Sequence, residues 1–511
     1  MHGNTLPLEI IGDVKPRVTR KNLAYVIMGS FGSFMFGYAN NVTTGSLAQT
    51  SFNKKFLSGS DSSQVISGIL GAFLGGAFFG SILQGKLAVK WGRRFATATA
   101  AVLLIISGAV MAGSSNIGMF IAFRVISGLG GGILTTNCPV YISEIAPFHM
   151  RGLLTGIHGV SINVAYTMSS LIALGINFID KPYQWRLQFC IFIFFSILLL
   201  ISVYFLPESP RWLIEQGRYD QAMDILTTLH VTEDGHGERI ARAEMAQIRA
   251  QLDAERSQPT SYYHILTTKS LRKRAICSIV TFFFCIGSGI LVIANLTPVL
   301  FAGLGFNQNI QLGLSATWVF NSGCGSLINA FLLDRVGRRR LFLTGGVLVA
   351  IMLVIEAVLQ KFYLHTTYAP GLNAATAFFF FYDLVWASLV DNTSIVYIPE
   401  IWPTHLRSYG ATIAYCSYYV VAIAITSPAT LAFDRIGYKY YFVFLVVDAL
   451  GFVYIYFEFP ETKGLTLEEI GEAFGDPVEL KFSDAVVGVG QDKPEVSEVE
   501  MVSDKDVTIH A

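Results

Sequence analysis

The chain has 511 residues, of which 52% are hydrophobic and 14% are charged. Soluble domains carry about 25% charged residues, so the composition excludes an ordinary soluble protein and places most of the chain in a membrane. Basic and acidic residues balance at 36 each, and this neutral net charge gives no reason to expect a nucleic acid as partner.

Apolar stretches recur along the whole chain at lengths that suit membrane helices. Residues 1–23 are polar, and the first apolar stretch is too long for the core of a signal peptide, so we expect it to be retained as span 1. A spanning helix needs about 20 apolar residues. The sequence predicts an all-α membrane protein with twelve spans, near 24–46, 65–85, 95–113, 117–140, 153–176, 187–206, 274–302, 310–333, 341–360, 374–398, 409–432 and 438–458.

The spans form two groups of six around a polar segment. Its charge-dense stretch, Thr232–Arg256, is rich in Ala, Glu, Arg and Gln, which favours helices on the surface. The predicted division is a tail (1–23), a six-helix bundle (24–206), a helical linker (207–273), a second six-helix bundle (274–458) and an acidic tail (459–511).

Basic residues in the short loops predict the orientation. Lys and Arg cluster before span 1 and after spans 2, 4, 8 and 10, which are all on one side of a twelve-span chain. Cytoplasmic loops carry the excess of Lys and Arg. Both termini and the linker are therefore expected in the cytoplasm.

Three motifs occur twice, six spans apart. KWGRRF after span 2 matches DRVGRRRL after span 8, and PVYISEIAPFHMRG after span 4 matches IVYIPEIWPTHLRSYG after span 10. LPESPRW after span 6 matches FPETKG after span 12. Two six-helix halves related as parallel repeats, with a site between them near the bilayer midplane, are typical of major facilitator transporters.

The repeated motifs bring both signs of charge to the cytoplasmic side. We interpret these residues as ion-pair latches that hold the two halves together when the site faces outward, and the alternative is ordinary loop charge. With one intramembrane arginine described below, the candidate coupling and gating residues are Arg124, Glu144, Arg151, Glu208, Arg211, Asp334, Arg338, Glu400, Arg407 and Glu461.

From about Ala24 to Gly464, the chain resembles the sugar porter family of the major facilitator superfamily, and its fungal members most. PESPRWLIEQGR, RVISGLGGGILTTNCPVYISEIAPFHMRG, DRVGRRR and PETKGLTLEEI carry the resemblance. It implies a carrier that moves a sugar or polyol by alternating access.

Several residues depart from the pattern of that family. The acid of the first repeated turn would lie at Val89, and the sugar-binding Gln of span 5 at Gly159. DNTSI, 391–395, replaces the Gly-Pro-x-x-Trp stretch of span 10. Tyr418 and Tyr419 stand where the family has Asn-Trp in span 11. The scaffold is therefore better supported than the substrate, and we expect a divergent pocket.

Polar side chains inside spans are costly and mark candidate sites. The candidate substrate-binding residues are Asn40, Asn41, His158, Asn295, Asn321, Asp391, Asn392, Tyr418 and Tyr419. Asp391 is open to three roles: it binds a cation or proton, it bonds the substrate, or it pairs with His158. His158 and the two tyrosines are also open to plain packing.

Arg124 occupies the position of the span-4 arginine in the family. In proton-coupled members this arginine pairs with an aspartate directly after Phe-Gly-Tyr in span 1, but here Phe36-Gly37-Tyr38 is followed by Ala39. The resemblance therefore favours uniport that is independent of protons.

The leading hypothesis is a monomeric, multi-pass carrier of the plasma membrane for a small polar solute, with a sugar or polyol as default. The alternatives are a carrier of a non-sugar secondary metabolite on the same scaffold and a non-transporting nutrient sensor. The sequence has no metal-ligand cluster, nucleophile constellation or phosphate-binding loop. We therefore expect neither an enzyme, nor a cofactor, nor a metal site, and no partners other than the solute and the lipid bilayer.

Overall fold

A computed structural model describes most of the chain. The described residues are 20–59, 61–145, 151–179, 181–229, 238, 241, 242, 245, 246, 248, 249, 261–363, 366, 368–403, 406–463 and 467–475. Most of both predicted tails, and most of the stretch Thr232–Arg256, lie outside this part of the chain.

The described residues form twelve helical spans, and the ends of each agree with a predicted span to within about six residues. Spans 1 to 6 are Arg20–Leu47, Ser62–Trp91, Arg93–Gly113, Ile117–Ile145, Arg151–Asn177 and Gln184–Phe205. Spans 7 to 12 are Lys269–Gly287 with Ile290–Gly303, Gln308–Val336, Arg338–Tyr363, Ala369–Trp386 continued to Ile401, Arg407–Thr426 with Ala429–Ile436, and Tyr440–Glu458. Shorter helices outside the spans are Thr50–Phe56, Pro210–Glu215, Tyr219–Leu229, Tyr262–Thr267 and Leu467–Phe474.

The spans form two pseudo-symmetric six-helix bundles, which we call the N half (spans 1 to 6) and the C half (spans 7 to 12). Within the described residues, nine stretches are long and apolar enough to cross a membrane, and one of them, Tyr409–Glu458, includes spans 11 and 12. Spans 1 and 8 are 28 and 29 residues long, but they are less apolar and are not among these nine stretches. Large apolar side chains on the outer surface, such as Phe79, Phe194 and Phe331, are exposed, as expected where lipid is the solvent.

Span 4 contains the glycine-rich sequence GLGGG, which looks unfavourable for a helix but allows close packing. A Cβ atom at Gly128 would lie 2.0 Å from the carbonyl oxygen of Phe73, and one at Gly132 would lie 2.0 Å from that of Ala77. Spans 2 and 4 therefore touch backbone to backbone, as small residues permit between membrane helices.

Spans 7 and 10 are irregular at the level where they face each other. Span 7 breaks at Gly289, whose φ is +91° and whose added Cβ would lie 2.4 Å from the Phe444 ring. Span 10 contains a π-helical turn, Ala387–Asp391. Tyr382 and Trp386 of span 10 donate hydrogen bonds to backbone carbonyls next to the break in span 7, at 2.9 and 3.1 Å. Such irregular backbone inside a membrane is typical of functional sites in carriers.

We name the two ends of the bundle after the parts of the chain that lie there. The terminal face is the end where the described part of span 1 begins and span 12 ends, and it carries the repeated motifs. The opposite face carries the connections after odd-numbered spans. All six cysteines are free thiols.

Candidate functional site

A polar junction joins spans 5, 8 and 10 near the middle of the bundle. Asn163 of span 5 donates to Ser326 Oγ of span 8 at 3.2 Å, and Ser326 Oγ donates to Asp391 Oδ2 of span 10 at 3.0 Å. Asn392 donates to the carbonyl of Ser326 at 2.9 Å. Its side-chain oxygen lies so near span 5 that a Cβ at Gly159 would be 3.0 Å away. The structure thus brings Asp391 and Asn392 to the contact between the halves.

Tyrosines lie on the helices beside this junction. Tyr166 lies about one helical turn after Asn163 on span 5, and Tyr415 and Tyr418 lie about one turn apart on span 11, which packs against spans 7 and 10. The Tyr418 ring packs edge-on against Phe282 at 5.2 Å between centroids. A carboxylate within a group of phenolic hydroxyls and rings offers both hydrogen bonds and flat apolar surface to a polyhydroxylated ligand.

Tyr419 directly follows Tyr418 in the chain, but its hydroxyl contacts span 4. It is fully buried, and its hydroxyl donates to Thr135 Oγ1 of span 4 at 3.3 Å. This bond connects the C half to the N half. Tyr419 therefore packs between the halves, whereas the Tyr418 ring packs within the C half against Phe282.

Asn40 and Asn41, the adjacent amides of span 1, both bind span 5. Asn40 donates to the Tyr166 hydroxyl at 2.7 Å. Asn41 donates to the backbone carbonyl of Tyr166 and to Ser170 Oγ, both at 2.9 Å. The pair joins two helices of the N half, and Asn40 fixes the position of the Tyr166 hydroxyl.

His158 contacts span 1. Its Nδ1 lies 2.6 Å from Ser33 Oγ, and the side chain is 2% exposed. In the described structure this hydrogen bond takes the place of the pairing with Asp391 that the sequence left open.

Asn295 and Asn321 make contacts within the C half. Asn295 donates to the carbonyl of Leu291 in its own helix at 2.8 Å. Asn321 of span 8 donates to Asp383 Oδ2 and to the carbonyl of Phe380 in span 10, at 2.9 and 3.0 Å. Asn321 thus bridges two helices and lies outside the group around Asp391.

Arg124 is fully buried in the N half. Its Nη1 donates to the backbone carbonyl of Ala39 at 2.8 Å, and its guanidinium lies 4.4 Å from the centre of the Phe73 ring. Among the described residues, Nε and Nη2 of Arg124 have no hydrogen-bond partner. The side chain therefore contacts Ala39, which directly follows Phe36-Gly37-Tyr38, and its partner there is a backbone carbonyl.

At the terminal face of the N half, Arg93 is the central charge. It pairs with Glu144 through two hydrogen bonds, at 2.9 and 3.0 Å. Glu208 accepts from the backbone N–H groups of Arg93 and Arg94 and so satisfies the first turn of span 3. Burial raises the pKa of the Glu208 carboxyl, and these N–H groups oppose that shift.

The C half repeats this arrangement. Arg338 pairs with Glu400 at 2.9 Å, and Glu461 accepts from the backbone N–H groups of Arg338 and Arg339 at 2.8 and 3.1 Å. Thr462 adds a hydrogen bond to Glu400 at 2.7 Å. Both halves thus use one arginine and two glutamates in equivalent positions.

These two ion pairs differ from the expected latches because each lies within one half. The reason is topological: the start of an odd span lies beside the end of the next even span in the same repeat. Arg211 and Arg407 each have an interaction of their own. The side chains of Arg151 and Asp334 lie outside the described part of the chain.

At the opposite face, hydrogen bonds join one half to the other. Thr50 donates to the side chain of Gln308, and Gln308 donates to the carbonyl of Ala48, at 2.7 and 2.8 Å. Ser67 and Thr430 hydroxyls lie 2.9 Å apart. Further bonds join Ser63 with Asp434 and Asn177 with Asn309. The halves are therefore held together beyond the polar junction on this side.

Comparison with known proteins identifies the family of this chain. The family described as "Sugar (and other) transporter" matches residues 25–474. The chain belongs to this sugar porter family of the major facilitator superfamily. It is therefore a multi-pass membrane transporter for small solutes, and not an enzyme.

Three similar proteins illustrate the membership. The probable metabolite transport protein CsbC of Bacillus subtilis is 32% identical, over 88% of this chain and 94% of that protein. A probable quinate permease of Aspergillus clavatus is 28% identical, over 91% of each chain. The proton:xylose symporter XylE, solved with 6-bromo-6-deoxy-D-glucose, shares the fold with a TM-score of 0.75 at 24% identity, over 89% of this chain and 99% of that chain.

Five residues with central contacts were missing from the sequence candidates, and one of them, Asn163, was detectable as an amide inside a span. Arg93 was detectable, because the repeat aligns it with Arg338. Ser326, Tyr166 and Ser33 gave no comparable signal, since a serine or tyrosine in a span is ordinary until its neighbours are known.

Proposed function

We propose that this sugar porter moves a sugar or polyol across the plasma membrane by alternating access, as a uniporter that is independent of protons. The observation that carries the proposal is the polar junction of Asn163, Ser326 and Asp391. It lies between the halves, near the middle of the bundle, where carriers of this architecture bind substrate.

The chemistry of the junction suits hydroxyl groups. Asp391 accepts hydrogen bonds, while Asn392, Tyr166 and Tyr418 combine donors, acceptors and flat surface. A substrate with several hydroxyls replaces the weak contacts between Asn163, Ser326 and Asp391 with its own. Binding then couples directly to the contact between the halves. We propose His158, Asn40 and Asn41 as residues that shape the N-half side of this pocket.

Proton independence is supported by the environment of Arg124. In a proton-driven cycle, protonation of a carboxylate releases the arginine that pairs with it. Arg124 contacts the Ala39 carbonyl and the Phe73 ring, and neither group titrates. No proton step at this position then controls the arginine.

Orientation and conformation follow from the charges and contacts together. The terminal face carries the Lys- and Arg-rich motifs, so we assign it to the cytoplasm with both termini. The halves are bonded at the opposite face, and the described structure then corresponds to a state closed toward the outside. The pairs Arg93–Glu144 and Arg338–Glu400 hold the cytoplasmic ends of each half as rigid units that move during gating.

A second candidate function is transport of a non-sugar metabolite. DNTSI, 391–395, stands in place of the family's Gly-Pro-x-x-Trp stretch, and Tyr418 and Tyr419 stand in place of its Asn-Trp pair. A relative is named as a probable quinate permease. The sensor hypothesis gains no such support.

Counterflow in liposomes tests the proposal. Purified protein, reconstituted and loaded with unlabelled solute, should accumulate the same labelled sugar or polyol. An uncoupler should leave the rate unchanged. Asp391→Asn should weaken apparent affinity for that solute at least tenfold, because a charged hydrogen bond contributes about 1.5–3 kcal/mol. Asp220→Asn on the surface helix is the matched control and should have no effect.

Two results would overturn parts of the proposal. Counterflow of acidic or aromatic metabolites, but of no sugar or polyol, favours the second candidate. Uptake that collapses with the proton gradient refutes uniport. If Asp391→Asn then removes that dependence, the coupling group is Asp391.

A further inference from the structure

Two cavities occupy equivalent positions at the terminal face, one in each half. The C-half cavity, about 310 Å³, is lined by Val336, Arg339, Arg340, Glu461 and Lys463. The N-half cavity, about 480 Å³, is lined by Trp91, Arg94, Pro207, Glu208, Trp212, Leu213, Arg218, Gln221, Asp224 and Ile225. Both lie beside the glutamate that accepts the N–H groups at the start of an odd span, and both are far from the polar junction.

The two cavities differ in charge. The C-half cavity has three basic side chains and one carboxylate, whereas the N-half cavity has two of each sign. The helices Pro210–Glu215 and Tyr219–Leu229 also contribute to the wall of the N-half cavity. Only the C-half cavity therefore has a surplus of positive charge.

The single carboxylate of the C-half cavity is already engaged. Glu461 Oε1 accepts from the backbone N–H groups of Arg338, Thr462 and Lys463 at 2.8, 3.0 and 3.1 Å, and Oε2 accepts from that of Arg339 at 3.1 Å. The Glu461 carboxylate therefore stabilises the N-terminus of span 9, where the helix dipole is positive. The basic side chains around it remain available to an anion.

The basic side chains at the C-half cavity keep hydrogen-bond donors that have no acceptor among the described residues. Arg339 Nε is buried and has no partner in the described part of the chain. Arg340 is exposed, and Lys463 uses one donor on the carbonyl of Arg335 at 2.7 Å. Buried polar atoms normally have a partner, and two guanidiniums and an ammonium suit the oxygens of a phosphate.

Exposed aromatic side chains lie close in the chain to the residues that line or contact the C-half cavity. Arg339 donates to the carbonyl of Tyr456 at the end of span 12. Tyr456 and the neighbouring Phe457 are 52% and 74% exposed, and Phe331 of span 8 is 71% exposed. A ligand held by its phosphate in this cavity would have an apolar surface at hand for acyl chains.

We propose that the C-half cavity binds the phosphate of an anionic phospholipid from the leaflet at the terminal face. Arg339, Arg340 and Lys463 hold the headgroup, and the acyl chains lie along spans 8 and 12. The site rests on the proposed orientation only for its leaflet, which is the cytoplasmic one, where anionic lipids concentrate. Binding does not require that the transport hypothesis be correct.

Native mass spectrometry of protein released from vesicles of phosphatidylcholine and phosphatidylserine tests the site. The wild-type protein should retain phosphatidylserine. The double variant R340Q/K463Q removes two exposed charges and should bind it about 30-fold more weakly, because each basic residue near a membrane surface contributes about 1 kcal/mol. The matched control R218Q/K90Q removes two charges at the same face of the N half and should bind like wild type.

Each possible result either supports or refutes the proposed lipid site. Equal loss in both double variants means that general surface charge holds the lipid, and it refutes a built site. Competition by inorganic phosphate as effective as that by phosphatidylserine refutes the lipid in favour of a free anion. Unchanged melting of R340Q/K463Q in lipid-free detergent shows that the variant is folded, so retention of phosphatidylserine by it overturns the proposal.

Discussion

Replacing Arg124 by methionine tests the interpretation of its unpaired guanidinium. The side chain has no exposed surface, one hydrogen bond to the carbonyl of Ala39 and one aromatic neighbour, Phe73. Arg124→Met keeps most of the volume and removes the charge. Because no described carboxylate loses its partner, we expect a small effect on stability, in either direction, and folding that is otherwise unchanged.

The magnitude follows from opposing contributions. The variant loses a charged hydrogen bond, about 1.5–3 kcal/mol, and a cation–π contact of about 2 kcal/mol. It also avoids burying an ion, which costs several kcal/mol, and two unsatisfied donors of about 1–3 kcal/mol each. The free energy of unfolding should therefore stay within roughly 2 kcal/mol of wild type.

Arg93→Met is the matched control, since it also replaces a largely inaccessible arginine by methionine. Arg93 and Glu144 side chains are only 12% and 10% exposed. Removing Arg93 leaves Glu144 without its paired charge, which should cost about 3–5 kcal/mol. Denaturant unfolding in one detergent compares both variants with wild type. If Arg124→Met destabilises as strongly as Arg93→Met, Arg124 has an anionic partner in the working protein and the reasoning fails.

Two glycine pairs give further predictions. Gly92→Ala should destabilise the protein by about 2–4 kcal/mol, because φ is +92° and the new Cβ would lie 2.4 Å from Glu208. Gly85→Ala in span 2 has open space and should stabilise by up to about 1 kcal/mol, as unfolding measurements can show. Gly159→Ala presses on the side chain of Asn392 across the halves and should slow counterflow several-fold, whereas Gly175→Ala in the same span should not. Equal rates for these two variants would refute the role of the span 5–span 10 contact.

The sequence predicted the spans well because each lipid-exposed helix needs a continuous apolar stretch, and only a few residues at each end were uncertain. It also located the terminal-face charges, because the repeat copies them. The sequence did not predict which of these charged residues pair with each other. Nothing in the sequence separation shows that Glu144 meets Arg93, 51 residues away, since that contact depends on how span 3 starts beside the end of span 4.

The candidate pocket was predicted less well, for a physical reason. A polar residue in a span must find a partner, but the partner is as often another helix as a substrate. Asn321 and Asn41 donate hydrogen bonds to neighbouring helices, while Asp391 lies at the contact between the halves. Only the three-dimensional arrangement separates these cases.

The contacts between the halves bear on how much energy alternating access requires. At the opposite face the described inter-half bonds are short polar ones, such as Thr50 with Gln308 and Ser67 with Thr430. Each contributes about 0.5–1.5 kcal/mol when water replaces it. By contrast, Arg93–Glu144 and Arg338–Glu400 lie within the halves, so the rocking motion that we propose would leave both pairs intact. Neither of these two ion pairs has to break when the opposite face opens. A difference of a few kcal/mol between the two states is small enough for a bound solute to shift, so the gradient of the solute suffices to drive the cycle that we propose.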